Sequence, residues 1–152
     1  MTYEKVDDLA PKGFFTSKVA LFTLKKEKKG ELPQGTYLAY LQLEWIHDPE
    51  QKKEKVISLL KYLPDYPPAW KELSSMLKDV SERKKAIENG LNNNPDPETK
   101  GILLINKALI LNMENKNQEA VKILGELILN SNSTLAAVEL AKFALRPITE
   151  EG

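Results

Sequence analysis

The stretch DYPPAWKELSSMLKDVSERKKAIENGLNNNP, residues 65–95, contains the signals that decide the fold. It opens with a double proline, Pro67 and Pro68, and Trp70 follows two residues later. Proline is tolerated in the first turn of a helix, because the amides there have no intrahelical partner. Ser81 offers a cap for a second helix, and the asparagines before Pro95 offer a stop. We therefore expect two short helices joined by a tight turn.

The same start and stop signals recur along the chain. Residues 48–50 and residues 96–98 each place an Asp as N-cap, a Pro at the first helical position and a Glu in the first turn. Stops are expected at residues 130–133 and at Pro147. Between these signals, apolar residues recur at intervals of three and four, as in Val56, Leu59, Leu60 and Leu63. From Asp48 onward, the chain is predicted to be a run of short helices.

The region before Asp48 allows two interpretations. KVALFTL, residues 18–24, and YLQLEWI, residues 40–46, could pair as a strand hairpin, because the second segment alternates apolar and polar residues. However, TYLAYLQLEWI, residues 36–46, lacks Gly and Pro and leads directly into the cap at Asp48. We favour the helix and keep the hairpin as the alternative.

The helices repeat with a fixed spacing. Ala86 and Ala120 occupy the same point of two amphipathic helices, 34 residues apart. The same shift superimposes three further pairs, Trp70 with Leu104, Ser74 with Ala108, and Leu77 with Leu111. Small residues at such positions let two helices approach closely, and a large residue there would overpack. A period near 34 residues, with two helices per unit, is typical of a helical repeat array.

With these residues, the chain resembles the tetratricopeptide repeat (TPR) family. The start of the second unit, PPAWKEL, matches the start of such a repeat, and the third unit begins at Gly101 with Asn115 at its interhelical turn. The resemblance implies an all-α, antiparallel helix-pair solenoid with a capping helix. It implies an N-terminal extension over residues 1–32 with one helix at most, about three helix pairs and the capping helix over residues 33–146, and a tail over residues 147–152.

The sequence departs from the TPR pattern in its first and second units. Tyr40 and Lys52 stand where the first unit should have small residues, and the second unit ends early, at Pro95. A generic helical bundle is therefore the alternative architecture.

The resemblance also implies a binding site, because the first helices of successive TPR units line a concave groove that receives a peptide or a helix. The positions of this sequence that correspond to that groove are Tyr37, Leu41, Trp45, Lys71, Ser75, Ile105, Asn106, Leu109 and Met113. The family's carboxylate clamp for acidic tails is absent, since Tyr37, Leu41 and Glu72 stand at three of its points. We expect an apolar or amphipathic partner instead. In the alternative, these residues are core and are covered by residues 14–28.

Composition excludes several function classes. The 22 basic residues balance the 22 acidic residues, which gives no basic excess for nucleic acid or for an anionic membrane. The chain has no cysteine, and its only histidine, His47, falls on a predicted turn. No Gly-rich phosphate loop is present. We therefore expect no catalytic, metal or cofactor-binding residues, no nucleic acid or membrane partner, and no enzymatic activity.

The function predicted from the sequence is a cytoplasmic, non-enzymatic module for protein–protein interaction, an adaptor or a chaperone-like protein. Two alternatives stay open. One is a structural helical module that associates with itself as a homo-oligomer, and the other is an accessory subunit of an enzyme complex.

Overall fold

The computed structural model describes residues 18–151, with side chains through residue 149, so residues 14–17 of the proposed covering segment lie outside it. Every regular element in this range is an α-helix, which confirms the all-α class. The helices are α1 (Lys18–Lys28), α2 (Thr36–Trp45), α3 (Pro49–Tyr62), α4 (Pro67–Met76), α5 (Val80–Leu91), α6 (Pro97–Met113), α7 (Asn117–Leu129) and α8 (Leu135–Glu151). The hairpin alternative for residues 18–46 is wrong, because both of its segments are helical.

The described residues fall into two compact units, an N-terminal unit that ends at Trp45 and a C-terminal unit that begins at Ile46. In the N-terminal unit, α1 packs against α2. The Glu27 carboxylate accepts a hydrogen bond from the backbone amide of Tyr37 at 2.8 Å and so ties the end of α1 to the first turn of α2. The repeat-based boundaries at residues 32/33 and 146/147 stay predictions, since compactness does not define a repeat register.

The predicted caps of α3 and α6 are confirmed. Asp48 accepts from the amide of Gln51 at 3.3 Å, and Asp96 accepts from the amide of Thr99 at 3.0 Å. The Ser81 cap is wrong, because α5 begins earlier and Asp79 accepts from the amide of Glu82 at 3.0 Å. Asp79 has extended backbone angles and a carboxylate that reaches three residues ahead, which is the geometry of an N-cap.

The predicted helix stop at Pro147 is also wrong, because α8 continues through this residue. Pro147 has no amide hydrogen to donate to the Phe143 carbonyl, which weakens the helix locally. The next residue, Ile148, is buried in the core of the C-terminal unit. Burial of this side chain offsets the lost hydrogen bond and explains why the helix continues.

In the C-terminal unit, helices pack against the next helix in the chain and, in two cases, against the next but one. α4 packs against α3, α5 and α6, and α6 also packs against α5, α7 and α8. The α6–α7–α8 core consists of Ile105, Ala108, Ala120, Leu124, Leu127, Ala141 and Ile148. Ala86 and Ala120 are buried, as their spacing predicted. Asn115 has a φ of 63°, the left-handed conformation expected at the turn between α6 and α7.

Trp70 has a specific role at the start of α4. Its indole N–H donates a hydrogen bond of 2.8 Å to the carbonyl of Pro64, just after the end of α3. Its Cβ also faces Gly90, where an added Cβ would lie 3.2 Å away. The indole therefore ties down the turn between α3 and α4, and the Trp70 Cβ lies beside α5.

Candidate functional site

Three of the predicted groove residues lie on α2, in the N-terminal unit. Tyr37 is buried and Leu41 is partly buried, whereas the side chain of Trp45 is 46% exposed. These side chains lie on one face of α2, since they are four residues apart. The exposed end of this face is aromatic.

Lys71 and Ser75 lie on α4, in the C-terminal unit. The Lys71 ammonium is buried and lies 3.1 Å from one oxygen of Glu72, and the Lys52 ammonium of α3 lies 3.3 Å from the other oxygen. Ser75 is exposed, and its hydroxyl donates to the backbone carbonyl of Glu72 at 2.9 Å. Lys71, predicted to contact a peptide, is thus part of an ion network between α3 and α4.

This network changes the pKa of Glu72. Burial alone would raise that pKa, but the ammonium groups of Lys71 and Lys52 more than offset burial, so the pKa lies below its usual value. The carboxylate is therefore ionised at neutral pH. The ionised carboxylate thus pairs with one ammonium group of α3 and one of α4 and links the two helices.

The four remaining predicted residues, which lie on α6, differ in exposure. Ile105 belongs to the α6–α7–α8 core and is buried. Asn106 is partly buried, and its amide donates to the hydroxyl of Ser74 at 3.1 Å, which links α6 to α4. Leu109 is 38% exposed and Met113 is 63% exposed. The exposed part of α6 is therefore its C-terminal half.

We define the α4–α6 face as Lys71, Glu72 and Ser75 of α4 together with Asn106, Leu109 and Met113 of α6; the two helices pack together and are linked by the Asn106–Ser74 hydrogen bond. Its α4 part is polar and its α6 part is apolar. The polar groups are neutralised or hydrogen-bonded to neighbours, so the accessible chemistry is mainly the two apolar side chains and the Ser75 hydroxyl.

Sequence reasoning missed a cleft of about 190 Å³ between α5 and α6. Its floor is apolar and includes Ile87 and Ile110. The Lys84 ammonium lies 2.6 Å from Glu114 at its edge. The hydrogen bond from Lys84 lowers the pKa of Glu114. The two partners are 30 residues apart, and no local pattern connects them.

A second cleft, of about 440 Å³, lies between the first turn of α6 and the end of α7. Lys100, Glu126 and Asn130 contribute polar groups to it, and Leu104 and Ile123 contribute apolar ones. Its walls are formed by the helix ends and by the α7–α8 loop. Their relative positions depend on tertiary packing, so no local sequence pattern indicates this cleft.

Across residues 18–149, no group of three or more His, Asp or Glu side chains is placed to hold a metal ion. His47, the single histidine, is exposed in the α2–α3 connection. None of the helices in the described part of the chain combines the length and the hydropathy needed to cross a bilayer. Comparisons of the chain with protein-family models, curated proteins and solved structures give no match.

Proposed function

We propose that this chain is a non-enzymatic protein–protein interaction module, an adaptor or a chaperone-like protein built from TPR-like helix pairs. Its α4–α6 face would bind an apolar or amphipathic segment of another protein. The proposal rests on one observation. Leu109 and Met113, two large apolar residues one helical turn apart on α6, have exposed side chains.

The rest of α6 makes this exposure informative. Leu103, Ala108 and Ile110 on the same helix are almost completely buried. Neighbouring helices thus cover the other sides of α6, and an apolar strip stays in contact with water. Contiguous apolar surface on a folded chain marks an interaction site more often than an isolated apolar residue does. A spacing of four residues is also one that places apolar anchors on the same side of a helix, as in helix-in-groove recognition.

Several packing features support the TPR-like register. Ser74 and Ala108, related by the 34-residue shift, are both completely buried, and so is Ala120. α6 packs both on its chain neighbours and on α4 and α8, the helices next but one. Contacts restricted to near neighbours are characteristic of repeat arrays. The same proposal places the module in the cytoplasm, which the absence of cysteine favours.

Selection from a displayed library of amphipathic helical peptides, with the full chain as target, tests the proposal. The decisive variant is Leu109→Ala with Met113→Ala. We expect peptides selected on the wild type to bind this variant at least about tenfold more weakly, since apolar anchors contribute most of the energy of such interfaces. The melting midpoint should change little, because both side chains are exposed.

Leu129→Ala is the matched control, because Leu129 is an exposed apolar residue at the end of α7, away from the α4–α6 face. Its affinity for the same peptides should equal that of the wild type. The proposal fails if no peptide is selected, or if the control loses as much affinity as the double variant. It also fails if the free energy of unfolding of the double variant falls by several kcal/mol, which is the cost expected when core side chains are truncated.

A further inference from the structure

The last described helix has an exposed apolar strip, which we call the outer strip, along one flank of its buried side. Ala136, Leu140, Phe143 and Pro147 are all exposed, with Leu140 at 47% and Phe143 at 73%. Ala137, Ala141 and Ile148, which are buried, lie on the adjoining side of α8, about 110° around the helix from the strip. α8 is therefore apolar over a wide arc, only part of which this chain covers. An apolar arc of that width is normally buried along its whole extent.

The spacing of the outer strip indicates what covers it. Its members follow one another at intervals of four, three and four residues, which is the seam of a helix that packs along another helix. Leu140 and Phe143, the large members of the strip, are both exposed, so we expect a helix of similar character to pack there.

The charged residues beside the strip indicate which helix can pack on it. Glu139 and Arg146, seven residues apart, lie along one edge of it and are both exposed. Within the chain, Glu139 lies 3.6 Å from the Lys142 ammonium, and both side chains are more than half exposed, so this pair contributes little. Glu139 can therefore form a stronger ion pair with a cation on a neighbouring helix.

A second copy of α8, packed antiparallel across a two-fold axis, provides that cation. In this register Leu140 faces Phe143 of the second copy, and Ala136 faces Pro147. Glu139 then faces Arg146 of the second copy, and the two-fold axis generates the same ion pair again. In a parallel register, Glu139 would face the edge that contains Ala144, which has no charge. Charge complementarity is therefore obtained only in the antiparallel pair.

We propose that the outer strip of α8 is a homodimer interface in which two copies of this chain pack their last helices antiparallel. The interface is independent of the proposed peptide-binding function, because it uses a different surface of the C-terminal unit from the α4–α6 face. A single pair of helix faces is small for a protein interface, so the expected affinity is micromolar.

Sedimentation equilibrium of the full chain from about 1 to 100 μM tests the proposal, since a micromolar Kd falls within this range. We expect a reversible monomer–dimer equilibrium. Phe143→Glu places a charge in the strip and should give a monomer throughout, with unchanged helicity by circular dichroism. Met113→Glu, which places the same charge on the exposed part of α6, should dimerise as the wild type does. A wild type that is monomeric at every concentration overturns the proposal, and so does a Phe143→Glu variant that still dimerises.

Charge exchange tests the antiparallel register and does not depend on the Phe143 variant. Glu139→Arg alone and Arg146→Glu alone should each raise the dimer Kd at least about tenfold, because each places like charges opposite one another twice. The double variant Glu139→Arg with Arg146→Glu restores opposite charges and should return the Kd to near its wild-type value. Single variants without effect, or a double variant that is no tighter than the singles, would overturn the proposal.

Discussion

Glu72 is a charged residue that links two helices of the C-terminal unit. Its carboxylate joins Lys52 of α3 to Lys71 of α4, and the Lys71 side chain is buried. Removing one partner from such a cluster leaves the others poorly solvated, which costs more than the cluster itself contributes. The two ammonium groups thus share one ionised carboxylate.

A pH dependence of stability follows from the lowered pKa of Glu72. A carboxyl group with a folded pKa below that of the unfolded chain stabilises the fold above the ordinary value of 4.5, and this contribution is lost as the pH falls through the folded pKa. We expect Glu72→Gln to destabilise the chain by about 1.5–3 kcal/mol at pH 7, the usual range for hydrogen bonds to charged groups.

Urea unfolding of wild type and Glu72→Gln between pH 7 and pH 3 measures the effect. The difference between the two proteins should shrink below the ordinary pKa of a glutamate, because protonation makes the wild-type side chain resemble glutamine. Glu54→Gln, an exposed position on α3, serves as control and should change stability little at any pH. A difference that stays constant over this range would show that the carboxylate charge does not stabilise the fold.

Ala120 tests the packing of the α6–α7–α8 core at a single position. Its side chain is completely buried, while that of the neighbouring Glu119 is exposed. Ala120→Leu inserts methylene groups into a filled space and should cost about 1–3 kcal/mol. At about 2–4 °C per kcal/mol for a chain of this size, a lower melting midpoint is readily measured. Glu119→Leu should shift the midpoint much less, and equal shifts would contradict the helix register.

At the scale of the element, the start of α5 depends on Asp79, a residue that the sequence patterns did not single out. Its carboxylate is the acceptor for the Glu82 amide, one of the amides that lack an intrahelical partner. Asp79→Ala should cost about 1 kcal/mol. Ser81→Ala should stay within about 0.5 kcal/mol of wild type, because Ser81 is exposed inside the helix. Thermal unfolding that ranks the two variants in the reverse order would restore Ser81 as the cap.

Two glycines within helices have opposite roles. A Cβ added at Gly101 of α6 would lie 2.6 Å from the Cβ of Ala137 in α8, whereas at Gly125 of α7 it would meet nothing within 4 Å. Gly101 therefore permits the close crossing of α6 and α8. Gly101→Ala should destabilise the chain by about 1–3 kcal/mol, since a Cβ cannot rotate away. Gly125→Ala should stabilise it by about 1 kcal/mol, through helix propensity.

The destabilisation expected for Gly101→Ala can be relieved by a compensating variant. Ala137→Gly removes the atom that an added Cβ at residue 101 would meet. Gly101→Ala combined with Ala137→Gly should be more stable than the sum of the two single effects predicts, with a coupling of about 0.5–3 kcal/mol in urea unfolding. Strict additivity would mean that the helices do not cross at these residues.

At the scale of the molecule, local signals predicted the helices better than they predicted the surface. The caps at Asp48 and Asp96 depend on residues three positions apart, so the sequence alone specified them. The continuation of α8 through Pro147 depends on burial of Ile148 against other helices, which no local pattern encodes. Exposure of the candidate site is equally non-local. Ile105 and Leu109 are adjacent on one face of α6, but neighbouring helices cover only Ile105.

Packing around α6 also predicts how stability is distributed in the C-terminal unit. α6 contacts α4, α5, α7 and α8, whereas α3 packs within the unit mainly against α4. Amides exchange with solvent through local openings, and openings cost most where a helix is enclosed. In native-state hydrogen exchange, we expect the amides of residues 103–110 in α6 to exchange at least about tenfold more slowly than those of residues 53–60 in α3. Both segments lie inside regular helices, so an intrinsic hydrogen-bonding difference cannot produce this contrast. Equal protection of the two segments would mean that the unit opens only as a whole, and that the central position of α6 does not determine its stability.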